Sequence, residues 1–298
     1  MSDKTETHTA ERLAVICGNG LLPVEVIAAA GEAGLLPLAV GIKGEADKAI
    51  EDGSPALWFD WGEIGKLAKA LKRNGVRDVV LIGGITQRPD FKSILGDLGT
   101  MCRLPRILEA LRKGDDGLLK AVIALFEEEG FRVIGAHEIA PSLLATPGPV
   151  GRHAPDENAR RDLEIAKIAA RTLGKLDIGQ AAVAVNGHVI AAEAAEGTDG
   201  MLRRCLDLKH VGRVRWKGQA GVLVKCVKPG QDLRVDLPSV GPNTVQHAAE
   251  LGLAGIVVDA GRVLMASRAE TIEIADRHGL FIYGFDERET DDVGARDE

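Results

Sequence analysis

The first half of the chain alternates between two kinds of hydrophobic pattern. Short apolar runs are typical of buried strands, and the segments between them repeat their apolar positions with a helical period. The predicted strands are 13–17, 36–42, 56–59, 78–82 and 131–135, and the predicted helices are 22–33 and 64–73, with two more across 103–129. Strands that alternate with helices favour a mainly parallel, doubly wound sheet.

A stretch rich in proline and glycine, residues 145–151, interrupts this pattern and predicts a turn between two domains. Beyond it, Asp156 is placed to cap a helix, and Asn186-Gly187 predicts a type I′ hairpin because both central residues of that turn need a positive φ. The other predicted strands are 222–227, 255–259, 263–266 and 281–285, and the predicted helices are 244–251 and 269–278. Hairpins mixed with helices favour an α+β domain unlike the first.

These patterns predict an α/β protein of two domains. The predicted organisation is a disordered tail at 1–11, an N-terminal domain with a mainly parallel sheet at 12–145, a linker at 146–155, a C-terminal α+β domain at 156–286 and a charged tail at 287–298.

Composition narrows the class of protein. A net charge of −7 and a total of three Trp, one Tyr and six Phe argue against nucleic acid as a partner. The four cysteines are widely spaced, so neither a zinc site nor a disulfide framework is predicted. Because the sequence has neither a signal core nor an apolar run of about 20 residues, it predicts a cytoplasmic protein, with contact at a membrane surface left open.

Two glycine motifs follow predicted strands of the first domain. Gly18-Asn19-Gly20 precedes a helix, where backbone N–H groups can hold phosphate, although a simple tight turn has the same appearance. The third glycine and the acidic residue of a dinucleotide fingerprint are missing. In the second motif, Gly83-Gly84 precedes Thr86 and Arg88, and Arg88 is either a phosphate clamp or a solvated surface residue.

A cluster of oxygen-bearing side chains follows the predicted hairpin. Its members are Glu193, Glu196, Thr198 and Asp199. Such a loop suits a hard cation, and the alternative is a solvated acidic loop in which Thr198 or Asp199 caps the next helix.

The densest cluster of charges lies between residues 225 and 238. If this segment is extended, Asp232, Arg234 and Asp236 share one face, as side chains of an edge strand would. Acids and bases beside Lys225 and Lys228 also suit phosphate chemistry, in which cations neutralise oxygens and a carboxylate binds metal or orients water. Because four residues of strand span about 13 Å, both aspartates can bind one ion only if the chain turns between them.

Several irregular motifs in order resemble those of the LpxI family of UDP-2,3-diacylglucosamine pyrophosphatases. They are ICGNGLLPVE, LIGGITQRP, AAEAAEGTDGMLRR and VKPGQDLRVDLPSVGPNT, so the resemblance extends from about residue 12 to residue 285. Asn19 departs from it, since relatives are expected to carry glycine or another small residue there.

This resemblance implies a Rossmann-like N-terminal domain, a distinct C-terminal catalytic domain and a substrate cleft between them. It also implies hydrolysis of UDP-2,3-diacylglucosamine to UMP and 2,3-diacylglucosamine 1-phosphate in lipid A synthesis, with Mg²⁺ or Mn²⁺ assisting the attack of water on the phosphorus of the UMP half. A homodimer and peripheral contact with the cytoplasmic face of the inner membrane are left open.

The motifs and the resemblance together give a set of predicted site residues. The catalytic candidates are Lys225, Lys228, Asp232, Arg234 and Asp236. The candidate metal ligands are Asp199, Asp232 and Asp236. The candidate substrate contacts are Gly18, Gly20, Gly83, Gly84, Thr86, Arg88, Glu193, Glu196, Gly197, Thr198, Gln231 and Thr244. The competing hypotheses are a protein that binds the nucleotide sugar without cleaving it, and an NAD-dependent oxidoreductase suggested by the opening βαβ pattern.

Overall fold

The computed structural model describes residues 12–86 and 114–286, which form two compact units. The first unit extends to Pro141 and the second begins at Ser142. The predicted tails at 1–11 and 287–298, and most of the first helix predicted across 103–129, lie outside the described residues. Among the described helices, none is both long and apolar enough to cross a bilayer.

The first unit is a parallel five-stranded sheet with helices. Its strands are Arg12–Cys17 (β1), Leu36–Ile42 (β2), Ala56–Phe59 (β3), Val76–Ile82 (β4) and Arg132–Val133 (β5). Its helices are Leu22–Glu32 (α1), Ile64–Arg73 (α2), Gly114–Glu128 (α3) and Ala136–Ile139 (α4), with a 3-10 helix at Lys48–Glu51. The strand order is β3-β2-β1-β4-β5, and every pair is parallel.

This strand order confirms the predicted Rossmann-like domain. The chain adds strands on one side of β1 up to β3 and then crosses to the other side with β4, which is the doubly wound arrangement. The centre of the sheet is apolar on both faces, as its almost uninterrupted apolar strands predict: Ala14, Val15 and Val79 have no exposed surface. The carboxyl ends of β1 and β4 therefore meet at the point where strand order reverses.

The second unit has a larger, mixed sheet. Its strands are Gly148–Pro149 (β6), Ala181–Val185 (β7), His188–Ala192 (β8), Val222–Lys225 (β9), Ser239–Val240 (β10), Gly255–Asp259 (β11), Leu264–Met265 (β12) and Phe281–Phe285 (β13). Its helices are Glu157–Lys175 (α5), Gly197–His210 (α6), Pro242–Leu251 (α7) and Arg268–Arg277 (α8), and a 3-10 helix at Pro141–Leu143 lies at the boundary.

Six of these strands form one sheet in the order β6-β13-β11-β9-β7-β8, and β10 pairs with β12 separately. The strands β9, β11 and β13 are parallel, whereas β6, β7 and β8 join antiparallel. Apolar side chains of α5 cover one face of the sheet, and those of α6, α7 and α8 cover the other. A distinct C-terminal domain with a hairpin and helices is thus confirmed.

Residues 146–155, predicted as a linker, belong to the second unit. Gly148–Pro149 pairs with β13 at the edge of the sheet, and the backbone N–H of Val150 donates to the carbonyl of Ile282 at 2.9 Å. Proline is tolerated on an edge strand because the edge needs no donor on its outer side. The proline and glycine of this stretch therefore mark an edge strand in addition to a turn.

The predicted hairpin is confirmed, with Asn186 and Gly187 at φ of 50° and 81° between β7 and β8. A buried carboxylate that was not predicted from the sequence fixes this turn. Asp162, on α5 and only 3% exposed, accepts hydrogen bonds from the backbone N–H groups of Asn186 at 3.0 Å and Gly187 at 2.6 Å. One side chain therefore ties the helix on one face to the end of the sheet.

We expect Asp162→Ala to lower the free energy of unfolding by about 2–3 kcal/mol, because two backbone N–H groups of the turn lose their charged acceptor. The measurement is urea unfolding at neutral pH. Arg161→Ala, at an exposed neighbouring position on α5, is the matched control and should change stability by less than about 0.5 kcal/mol. Equal effects of the two substitutions would contradict a structural role for this carboxylate.

Candidate functional site

A buried lysine at the carboxyl end of β9 is the centre of the candidate site. Side chains alternate along a strand, so Lys225 shares with Leu223 the face covered by α6 and α7. Lys225 is 8% exposed, and its Nζ donates to the backbone carbonyl of Ser239 at 2.8 Å. Burial lowers the pKa of Lys225, while the charges of Glu193, Asp199 and Asp236 act in the opposite direction and favour the ammonium.

Three carboxylates predicted from two motifs thus lie near one cation. They come from the segment after β8, from α6 and from the segment after β9, between 32 and 11 residues away in the chain. A buried ammonium needs nearby negative charge to offset the loss of hydration. Each of these residues was predicted from the sequence, but their proximity to Lys225 was not.

Glu193 is held rigidly at this site. It is 6% exposed, its Oε1 accepts from Thr198 Oγ1 at 2.6 Å, and its Oε2 accepts from the backbone N–H of Gln180 at 3.0 Å. Because both carboxylate oxygens already accept hydrogen bonds, Glu193 chiefly supplies fixed negative charge beside Lys225.

Helix α6 begins at Gly197, so Thr198 and Asp199 lie in its first turn. The alternative in which Thr198 or Asp199 caps this helix is wrong, because both residues lie inside it. Glu196 lies at the N-cap position but makes no side-chain cap; instead Arg204 donates to its Oε1 at 2.6 Å. A hydrogen bond from its own backbone N–H, followed by the Arg204 contact, lowers the pKa of Glu196.

Two groups on α7 approach a single oxygen of Asp199. Thr244 Oγ1 donates to Asp199 Oδ1 at 3.3 Å, and His247 Nδ1 lies 3.6 Å from the same atom. Thr244 was among the predicted site residues, and His247 was not. The available signal was the spacing of three residues on a predicted helix, which places both side chains on one face.

The segment after β9 differs from the extended conformation considered above. The backbone N–H groups of Val235 and Asp236 both donate to the carbonyl of Asp232, at 3.2 and 3.1 Å, so the chain turns between the two aspartates. The backbone N–H of Arg234 also donates to Asp232 Oδ1 at 3.1 Å. Asp232, Arg234 and Asp236 therefore do not share one face of a strand. The long distance between the two aspartates that an extended strand would impose no longer applies.

Arg234 forms a bidentate ion pair with Asp232. Its Nε donates to Oδ1 at 3.0 Å and its Nη2 donates to Oδ2 at 2.8 Å, the arrangement in which guanidinium and carboxylate interact most strongly. A metal ion at Asp232 would have to compete with Arg234 for both oxygens. The ligand role of Asp232 stays a prediction.

Lys228 and Gln231 belong to the same segment but make other contacts. Lys228 Nζ donates to Asp177 Oδ1 at 2.7 Å, and the backbone N–H of Lys228 donates to Gln231 Oε1 at 2.8 Å. Lys228 thereby ties the segment to the end of α5, which ends at Lys175.

In the first unit, the two glycine motifs contact each other at the reversal point of the sheet. The backbone N–H of Asn19 donates to Gly84 O at 2.8 Å, and that of Gly84 donates to Asn19 O at 2.9 Å. A Cβ on Gly18 would collide with the carbonyl of Gly84, and Gly83 has a φ of 102°. The tight-turn interpretation therefore explains these glycines, while a phosphate contact there stays a prediction.

The end of the second glycine motif has a carboxylate partner. The backbone N–H and Oγ1 of Thr86 both donate to Glu45 Oε2, at 2.8 and 2.7 Å. Glu45 was not among the predicted site residues, and Arg88 lies outside the described residues.

Comparison with known proteins decides the family. The LpxI N-terminal domain model matches residues 12–143, and the LpxI C-terminal domain model matches residues 146–283. The UDP-2,3-diacylglucosamine pyrophosphatase LpxI of Caulobacter vibrioides (strain ATCC 19089 / CIP 103742 / CB 15) is 43% identical over 278 residues, which are 93% of this chain and 99% of that protein. The chain belongs to the LpxI family. The resemblance inferred from the motifs is confirmed.

Solved structures similar to this LpxI-family chain are remote. The alignment with the precorrin-6A reductase CobK covers 93% of this chain and 88% of the reductase chain, at 14% identity and a TM-score of 0.31. The alignment with a UDP-glucose 4-epimerase from Thermotoga maritima in a structure with UDP-glucose covers 49% of this chain and 42% of the epimerase chain. The identity is 10% and the TM-score is 0.28. Similarity this weak carries no argument about function.

The predicted metal ligands of this LpxI-family chain do not form a preorganised coordination site of three side chains in the described residues. In residues 12–86 and 114–286, no three His, Cys, Asp or Glu side chains are grouped so that they could hold one ion. Mg²⁺ is usually held by one or two carboxylates together with water and substrate phosphates. Asp199 and Asp236, both near enough to Lys225 to act on its pKa, suit that smaller requirement better than a set of three.

We expect the stability of the wild type relative to Lys225→Met to increase as the pH is raised toward about 10.4, the pKa of an unfolded lysine. Burial lowers the pKa of Lys225 in the folded protein, so between the two values the unfolded chain binds more protons and alkali favours folding. Urea unfolding of both proteins across this range is the measurement. A relative stability that falls with pH would contradict the buried environment of Lys225.

Proposed function

We propose that this chain hydrolyses the pyrophosphate bond of UDP-2,3-diacylglucosamine to UMP and 2,3-diacylglucosamine 1-phosphate in lipid A synthesis. The observation that carries the proposal is the similarity to the Caulobacter vibrioides protein named UDP-2,3-diacylglucosamine pyrophosphatase LpxI. The two sequences are 43% identical over 93% of this chain and 99% of that protein. The charge cluster around Lys225 supports it, because such a cluster suits phosphate chemistry.

The cluster has the parts that a phosphoric anhydride hydrolase needs. Water attacks the phosphorus of the UMP half, the bond from that phosphorus to the bridging oxygen breaks, and the electron pair leaves with the sugar 1-phosphate. A carboxylate, Asp232 or Asp236, orients the water and accepts its proton. Lys225 places positive charge where the phosphoryl oxygens gain negative charge, and its effect is strong because its surroundings exclude water.

The residues of the segment after β9 have supporting roles in this proposal. Arg234 is 38% exposed, so its guanidinium is accessible to a phosphate while Asp232 holds its orientation. Lys228 is 15% exposed and fixes the segment through Asp177. A substrate phosphate that engages Arg234 would free oxygens of Asp232 for water or metal.

Magnesium or manganese is part of the proposal. Asp199 and Asp236 are the carboxylates that would hold the ion, with water and substrate oxygens completing its coordination. The bound ion would act as a Lewis acid on the phosphoryl oxygens. Asp232 stays a predicted third ligand, and the glycine loops at Gly18, Gly20, Gly83 and Gly84 stay predicted substrate contacts.

The acyl chains and the membrane that supplies the substrate also need a contact surface. Leu176 and Ile178 are 67% and 47% exposed, on either side of the residue that pairs with Lys228. We propose peripheral contact with the cytoplasmic face of the inner membrane at these side chains, because exposed apolar groups suit acyl chains. A homodimer stays a prediction.

We expect purified protein with Mg²⁺ to release UMP from UDP-2,3-diacylglucosamine. Asp232→Asn and Asp236→Asn should each lower kcat by about 10²-fold or more, the scale of losing one electrostatic contact to the transition state. Product identification and steady-state kinetics are the measurements.

The matched control for this experiment is Asp207→Asn, which removes a carboxylate from the exposed face of α6 and should leave kcat unchanged. Stoichiometric binding of the intact substrate without cleavage, with Mg²⁺ and with Mn²⁺, would contradict the proposal and favour a binding protein.

A further inference from the structure

Helix α7 presents two polar side chains, one turn apart, to the same carboxylate oxygen. Thr244 Oγ1 lies 3.3 Å and His247 Nδ1 lies 3.6 Å from Asp199 Oδ1. Nδ1 of His247 is buried, and among the described residues it has no hydrogen-bond partner. A buried polar atom without a partner is costly, so packing alone would favour an apolar residue at this position.

We propose that His247 is a positioning residue that orients Asp199 at the Lys225 site. The inference rests on the proposed function and extends it to a residue outside the sequence motifs. Asp199 is 41% exposed, so its carboxylate would rotate in solvent unless its neighbours held it. Because Thr244 and His247 both address Oδ1, they leave Oδ2 available to a metal ion or substrate at the site.

The distance of 3.6 Å is longer than a hydrogen bond but within a small adjustment of one. Hydrogen bonds around a reacting group are often long in the absence of substrate and shorten when the site is filled. A neutral imidazole with its proton on Nδ1 would donate to Asp199 Oδ1 after such an adjustment. His247 is 26% exposed, so the ring is not enclosed on every side.

A comparison of three variants tests this role. In His247→Ala the donor is lost; in His247→Asn the side-chain amide nitrogen can take the place of Nδ1 and donate to the same oxygen. His210→Ala, at the exposed end of α6, is the matched control. The readouts are kcat, KM and the affinity for Mn²⁺ without substrate, measured by the paramagnetic signal of the free ion, and thermal unfolding shows whether each variant folds.

We expect His247→Ala to lose about 10-fold or more in both kcat and Mn²⁺ affinity, the usual effect of removing a group that orients a metal ligand. KM for the nucleotide sugar should change much less, His247→Asn should recover most of both losses, and His210→Ala should equal the wild type. A purely structural role for His247 would lower the unfolding temperature without this pattern.

Unchanged kcat and Mn²⁺ affinity in His247→Ala would overturn the proposal. So would a His247→Asn variant that folds and is as impaired as His247→Ala, because the donor would then be irrelevant. If wild-type protein fails to cleave the substrate, the proposed function is wrong, whereas the Mn²⁺ titrations still decide whether His247 orients Asp199.

Discussion

The candidate site depends on one electrostatic constraint, the burial of the Lys225 ammonium at the carboxyl end of β9. Lys225 is 8% exposed and has a single described hydrogen bond, to a backbone carbonyl, so most of the hydration that it loses must be offset by charge. Glu193, Asp199 and Asp236 supply that charge. The constraint explains why residues from three separate segments converge, and it gives the phosphate chemistry a preorganised cation.

The sheet makes this convergence possible. Ala181 at the start of β7 pairs with Lys225 at the end of β9, and β8 ends at Ala192 beside the start of β7, so Glu193 emerges at the same edge of the sheet as Lys225. Helices α6 and α7 both begin near this edge and direct their first turns, with Asp199 and Thr244, toward each other. Their positive N-terminal ends favour the negative charges gathered there.

Much of the fold was predictable from the sequence because it depends on local signals. Apolar periodicity located β1 to β5 and the central strands of the second sheet, and Asn186-Gly187 located the hairpin. The edge strand at Gly148–Pro149 was missed because proline and glycine also mark linkers, and its pairing with β13 depends on residues more than 130 positions away. Asp162 was missed for the same reason, since its partners lie in a distant turn.

The site was only partly predictable. Motifs gave its carboxylates and lysines, and the LpxI family assignment is confirmed. Whether the chain turns at 232–236 stayed open in the sequence, because alternating charges are equally typical of an edge strand. His247 lies outside the motifs. Its spacing from Thr244 predicts only a shared helix face, and the packing of α7 against α6 brings that face to Asp199.

The central claim is that Lys225 and its carboxylates act as one unit. A double-mutant cycle on kcat/KM with Lys225→Met, Asp236→Asn and the combined variant tests it most directly. The account predicts that the combined variant loses little more activity than the worse single variant. Losses that multiply, as independent sites would give, would contradict it.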